Sequence, residues 1–307
     1  MNCKPYIAVF LLALGLCNAR AAEPKWFAAP RLDKAPSLDQ GLADPVWAQA
    51  LKIPFVKLND GPGDTKKYPT ESYWLYANGS LFVGFKCVNP DSPRLWVTPN
   101  QTRDQSIYTK ECVELFLGDF EGGFYYQLIV DAAGNIFDLS SKEGPGWNGD
   151  WKCKAEVHPG YWTAVVEIPA PILATLWTPG SFVTLDVTRH GFNPDGSGEE
   201  VTTISPPGTH SPEDRVFLGN VNPALLGEKV SQSVKEFKKD FARAPFTKEA
   251  TAKLVSLEAF AAECGKADVS LARYQVLFKR YVQCGRELAE LKQDIVVNVI
   301  FGDGGAR

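Results

Sequence analysis

The sequence predicts a mainly β protein, an antiparallel β-sandwich that ends in an α-helical extension, and three observations predict it. From residue 23 to about residue 226, short alternating runs of apolar and polar residues recur, bounded by Gly, Pro, Asn or Asp. Turn-forming pairs fall between such runs, Asn78-Gly79 and Pro159-Gly160 most clearly, and Asn-Gly between alternating segments is a strong hairpin signal. Beyond Pro223 the apolar period lengthens to three and four, the spacing of a helix face.

The chain begins with Lys4, an apolar run from Tyr6 to Leu16 and the small-residue segment Ala19-Arg20-Ala21-Ala22. This reads as a secretory signal peptide over residues 1–22, and the apolar run is too short to span a bilayer. The expected location is secreted or periplasmic, with no membrane attachment after cleavage. In the β half, Ser72–Tyr76 and Leu81–Val88 flank the Asn78-Gly79 turn, and Lys152–Val157 and Tyr161–Ile168 flank Pro159-Gly160. Cys112–Leu117 and Phe124–Val130 flank a loop of Gly, Asp and Glu, and Ala133-Gly134-Asn135 forms the next turn. Phe182–Arg189 and Val216–Val221 supply two more strands, and Pro171–Leu176 a short helix. Trp47, Trp74 and Trp162 sit in strand-like or packing motifs and are expected in the core.

Three amphipathic helices are expected over residues 227–307. Their stripes are Val230, Val234, Phe237, Phe241, then Leu254, Leu257, Ala261, Cys264, then a longer one from Leu271 to Ile295. Thr247 and Asp268 suit N-caps, Gly265 a C-cap, and Pro245 ends the first helix. Such stripes must be buried on the sandwich, in a homodimer or against a protein partner.

Charge and cysteine content narrow the function classes. There are 32 basic and 36 acidic residues, and loss of Lys4 and Arg20 with the leader lowers the net charge of −4 by two further units. A mildly acidic chain has no electrostatic handle for nucleic acid or anionic lipid, so neither is an expected partner. The five cysteines beyond the leader show no metal spacing. At most one disulfide among Cys87, Cys112 and Cys153 is expected, with Cys264 and Cys284 as buried thiols.

Catalysis is not expected. His158, His190 and His210 lie outside any nucleophile or H-E-x-x-H motif. Glu111, Glu114, Asp131 and Asp138 are read as solvated strand-end acids, because glycosidase pairs are defined by separation across a cleft. Calcium stays open as a structural ion through Asp60, Asp64, Asp91 and Asp119, although no spaced oxygen-ligand motif joins them. No other cofactor is expected. Glu114 stands out, since a carboxylate on a half-apolar strand needs water, a cation or a ligand. Trp147 and Trp151, in the glycine-rich segment 144–151, either offer a ring for stacking or cover the core.

Seven fragments carry a family resemblance when taken in order: Leu38–Trp47, Leu81–Phe85, Arg103-Asp104, Cys112–Leu117, Tyr125–Asp131 with Gly134, Trp162–Pro169, and a strand ending in Arg189. The series, over about residues 33–220, resembles carbohydrate-binding module family 9. The resemblance implies an immunoglobulin-like β-sandwich that recognises sugars between two aromatic rings, with polar groups on nearby strands bonding the hydroxyls. Stacking on the CH faces and paired hydroxyls are what a pyranose demands.

Carried over by position, the first aromatic falls on Tyr108 and the carboxylate on Glu114. The second aromatic should lie in Gly208–Arg215, where His210 and Pro212 are nearest. An arginine of the sugar binders is replaced by Ile129. Arg103 and Arg189 complete the set, either bonding the sugar or pairing with Glu114, and Trp147 is a further stacking candidate, with Trp96 behind it. Some relatives hold haem through methionine, but the only methionine here is Met1. The expected function is carbohydrate binding in polysaccharide breakdown or uptake. The alternative is a non-catalytic scaffold that keeps the sandwich without a sugar site.

Overall fold

A computed structural model of the protein describes residues 25–57, 67–119, 123–176, 182–204, 216–242, 246–266 and 269–301. The expected leader, Pro245, Asp268, and the candidates Asp60, Asp64, His210 and Pro212 lie outside the described residues.

In chain order the strands begin with β1 (Trp26–Ala28), β2 (Arg31–Leu32), β3 (Leu51–Pro54) and β4 (Val56–Lys57). The long hairpin β5 (Thr70–Ala77) and β6 (Ser80–Val88) follows. Asn78 and Gly79 make its two-residue turn with φ of 51° and 82°, the left-handed pair that a tight hairpin needs. Next come β7 (Cys112–Gly118), β8 (Tyr125–Asp131) and β9 (Ile136–Ser140), then the hairpin β10 (Lys152–His158) and β11 (Tyr161–Ile168). Helix α1 (Ala170–Leu176) leads to β12 (Phe182–Gly191), β13 (Glu200–Thr203) and β14 (Val216–Gly219).

The strands form two sheets. One runs β1-β14-β12-β7-β8-β9, with β13 beside β12 and β4 beside β13; the other runs β10-β11-β6-β5-β2, with β3 also on β5. Most ladders are antiparallel, as expected, but β1 pairs parallel with β14 and β2 parallel with β5. The fold is a mainly β, immunoglobulin-like sandwich followed by helices. The inner faces meet in one core, built by residues such as Trp74, Phe85, Leu115, Leu128, Trp162, Val166 and Leu185. Trp47 is also buried, in a smaller cluster where residues of the 32–50 segment cover part of the second sheet's outer face.

The extension comprises α2 (Ala224–Asp240), α3 (Lys248–Cys264) and α4 (Leu271–Phe301). Thr247 caps α3 by accepting from the Ala250 N–H at 3.1 Å. Gly265 is its C-cap but has a right-handed φ of −72°, so this position does not use the left-handed freedom of glycine. Gly227 does matter: a Cβ there would lie 2.5 Å from the Ala261 carbonyl oxygen, so its absence lets α2 and α3 pack closely. The stripes bury against one another and against the end of the sandwich. Trp26 of β1 stacks on Phe217 of β14 at 4.1 Å and meets Phe278 of α4 at 4.9 Å, while Phe182 meets Tyr274 at 4.8 Å. The long apolar stripe is thus largely covered within one chain. No helix among the described residues is long and apolar enough to cross a membrane.

Candidate functional site

Period-two alternation sends Val113, Leu115 and Leu117 into the core and leaves Cys112, Glu114 and Phe116 on the outer face of β7. Strand register then sets the neighbours of Glu114: Ile129 on β8 and Thr188 on β12, with Phe137 of β9 one strand further. Gln127 Nε2 donates to Glu114 Oε2 at 3.0 Å, and His190 Nε2 lies 3.4 Å from Oε1. The other nitrogen of His190 is 2.7 Å from Glu199 Oε1, so the imidazole bridges two carboxylates.

Tyr108 stands on the rim of this face, in the 3-10 turn Ile107–Thr109. It is 43% exposed, and among the described residues no other aromatic side chain is as open to solvent. Its ring meets Phe137 edge-on, with centroids 5.8 Å apart, and its hydroxyl bonds Ser106. Phe137 and Glu114 are two strands apart, roughly 10 Å at the backbone. Beneath the turn, Ile107, Cys112, Ile129 and Phe137 form a small apolar cluster. Ile129 therefore offers packing where the resemblance implies an arginine. Burial pushes the Cys112 thiol well above its usual range, and the charge of Glu114 adds to the shift.

The acids are not solvated strand ends. Glu111, Asp131 and Asp138 are fully buried and Glu114 is only 6% exposed, which corrects the expectation from sequence. Each is held by specific donors, as burial of charge requires. Glu111 pairs with Arg189 in the interior and also accepts from Trp162 Nε1 at 2.9 Å and the Phe192 N–H at 2.9 Å. Asp138 accepts from Arg103 Nε at 2.7 Å and Nη2 at 2.6 Å, from the Gly149 N–H at 2.7 Å and from Trp151 Nε1 at 3.1 Å. That pairing holds the Arg103 guanidinium above its ordinary pKa. Burial raises the Asp131 carboxyl, against bonds from Asn135 and Ala133 that lower it.

These networks separate the candidate residues. Glu114 and Tyr108 share one face. Arg189 is fully buried on the opposite side of its sheet, bonded to Glu111 rather than Glu114, so no sugar reaches it as placed. Arg103 is committed to Asp138 and to the Gly149 carbonyl, away from Glu114. Trp147 is half-buried and stacks on Tyr126 at 4.3 Å, so it covers core. Trp151 is buried on Asp138. Trp96 lies under the Lys110 ammonium, 4.1 Å from its ring centroid. Gln127 and His190 are the neighbours that sequence reasoning missed. Gln127 was within reach through the register of the β7–β8 hairpin; His190 arrives from a strand distant in sequence and left no local signal. The five described cysteines are free thiols, so the disulfide allowed among Cys87, Cys112 and Cys153 is not formed. Among the described residues no three His, Cys, Asp or Glu side chains cluster as metal ligands.

No family model and no curated protein matches the sequence. Among solved structures, a Bacteroides uniformis protein provisionally described as carbohydrate-binding is similar at a TM-score of 0.52 and 14% identity, covering 64% of this chain and 99% of its own. A carbohydrate binding module family 9 from Caldicellulosiruptor kristjanssonii overlaps less closely. Its glucose complex gives a TM-score of 0.47 at 14% identity, and its cellotriose complex 0.46 at 12%. Each covers 64% of this chain, and 95% and 94% of its own. These two overlaps are too loose to argue from. The first likeness establishes a shared sandwich fold, the architecture that the sequence fragments imply.

Proposed function

We propose that the protein is an exported, non-catalytic carbohydrate-binding protein. Its site is the outer face around Glu114, with Tyr108 as the stacking ring. One observation carries the reading: the exposed Tyr108 ring shares the outer face of the sheet with a carboxylate already oriented by Gln127 and His190, two strands away from the Phe137 that the ring meets. An apolar ring surface on the same face as a fixed acceptor suits the two sides of a pyranose. Export rests on the leader, and a place in polysaccharide breakdown or uptake follows from an exported sugar binder that lacks a catalytic motif.

The scaffold reading has its own support. Glu114 is nearly closed over, Ile129 is packed, and Tyr108 meets Phe137 edge-on rather than facing a second ring across a gap. Calorimetry of the leader-free protein with neutral cello- and xylo-oligosaccharides decides between them, beside Tyr108→Ala and Glu114→Ala. Binding that each substitution weakens at least tenfold, with unchanged circular dichroism, is the expected result. Absence of binding to every sugar, or affinity indifferent to both substitutions, would replace the sugar site with the scaffold.

A further inference from the structure

The second sheet carries its own groove. It has a volume of about 420 Å³, within the span of about 300–1,000 Å³ typical of small-molecule sites. Residues of the 32–50 segment cover one half of that sheet's outer face and leave the other half open. The open half presents Tyr73 of β5, Lys86 of β6, Tyr161 and Thr163 of β11, and Glu156 and His158 of β10. Register aligns Glu156, Thr163, Lys86 and Glu71 in one row across four strands.

The rim is firmly built. Gly41 has a φ of 55°, and a Cβ there would sit 2.9 Å from Glu156 Oε2, so bare glycine lets the carboxylate close against the turn. Trp47 Nε1 donates to the Gly41 carbonyl at 3.0 Å, and Lys154 Nζ to the Asp39 carbonyl at 2.5 Å.

The two carboxylates of this row are each paired with a lysine that lies outside the groove lining. Glu156 is paired with Lys154 Nζ at 2.9 Å. Glu71 is paired with Lys52 Nζ at 2.6 Å and accepts from the Tyr73 hydroxyl at 2.7 Å. Lys86 is the cation that lines the groove: its ammonium lies 5.0 Å from the Tyr161 ring centroid, its charge acts on its register partner Glu71, and among the described residues no carboxylate lies within ion-pair distance of it. His158 stacks on Tyr161 at 4.7 Å and fixes the ring.

We infer that this groove binds a carboxylate-bearing pyranose. The acid sits on Lys86, the sugar lies along the tyrosine-lined wall, and its hydroxyls reach Thr163 and Glu156. A half-buried ammonium beside aromatic surface gains more from a bound anion than one in open water. The site is on the opposite sheet from Glu114 and does not depend on the reading above.

The test is NMR titration of the full leader-free protein with glucuronate, using glucose and acetate as controls, on wild type, Lys86→Gln, Tyr161→Ala and Glu114→Ala. Glucuronate should shift resonances of β6, β10 and β11, and bind at least tenfold more tightly than glucose or acetate. Lys86→Gln should weaken it at least tenfold and Tyr161→Ala should weaken it clearly, while Glu114→Ala leaves it unchanged. Added salt should weaken it too. No shift with glucuronate, equal binding of acetate, or indifference to Lys86→Gln in a folded variant would overturn the assignment. Loss in Glu114→Ala alone would place the acid on the other sheet and overturn it equally.

Discussion

Arg189 and Glu111 lie fully buried against each other inside the sandwich, whereas the helical ion pairs Lys238–Glu258 and Arg273–Glu263 join side chains about half exposed. The two halves thus use charge in different ways. In the sandwich, buried acids act as hubs that fasten loops: Glu111 binds the Phe192 backbone, and Asp138 binds Arg103 and the Gly149 backbone. Such hubs fix geometry more than they add stability, because desolvation offsets much of the attraction. In the helices the interior is apolar, and charge decorates the surface. The difference teaches that the sandwich holds its loops by directional bonds, while the extension is held by packing.

The largest effect should come from breaking one hub. Arg189→Met alone leaves Glu111 charged, buried and short of its cation, and should cost about 3–5 kcal/mol in denaturant unfolding. Adding Glu111→Leu should recover only part of that loss, because it removes the unpaired charge but leaves the Trp162 and Phe192 N–H groups without their acceptor. A single variant that costs less than about 1 kcal/mol would show that the interior tolerates loose charge, against the pattern of such sites, and would erase the contrast. A step lower, Leu257→Ala in the fully buried α3 stripe should cost about 2–4 kcal/mol by cavity formation. No partner substitution rescues a cavity as Glu111→Leu rescues a charge, and that asymmetry sharpens the comparison. Smallest of all, Arg273→Ala should change stability by about 0–1 kcal/mol, since both partners are half in water. A larger loss would mean that the helices, too, rely on charge.

The same division governs what could be read from the sequence. Hairpins and helices carry their signals locally: Asn78-Gly79 announces its turn, alternation places Glu114 outward, and Val230, Val234 and Phe237 mark one helix face. Strands β1, β2, β3, β4 and β13, among those missed, have two to four residues each, and β1, β2 and β4 exist through pairing with distant segments. Too short for periodicity to show, they are strands because a neighbour makes them so. The acids were misjudged for a related reason. A carboxylate at a strand end reads as solvated until its donors are known, and those of Glu111 come from residues 162, 189 and 192. At the candidate site, Tyr108 and Glu114 were legible as types at positions. That Arg103 and Arg189 serve other acids was not, because partner choice is settled by register between strands far apart in the chain.

The parallel seating of β1 beside β14 has a consequence for how the molecule is made. Trp26 is among the earliest described residues to leave the ribosome, yet its neighbours Phe217 and Phe278 are translated long afterwards. The first strand is therefore among the last to be placed. Closing so long an arc of chain costs entropy before any contact returns it, and folds dominated by distant pairings form slowly. Through most of synthesis, the aromatic end of the sandwich stays uncovered and open to holding factors that bind apolar surface. Completion of α4 supplies the last rings of that cluster and covers Trp26 of β1.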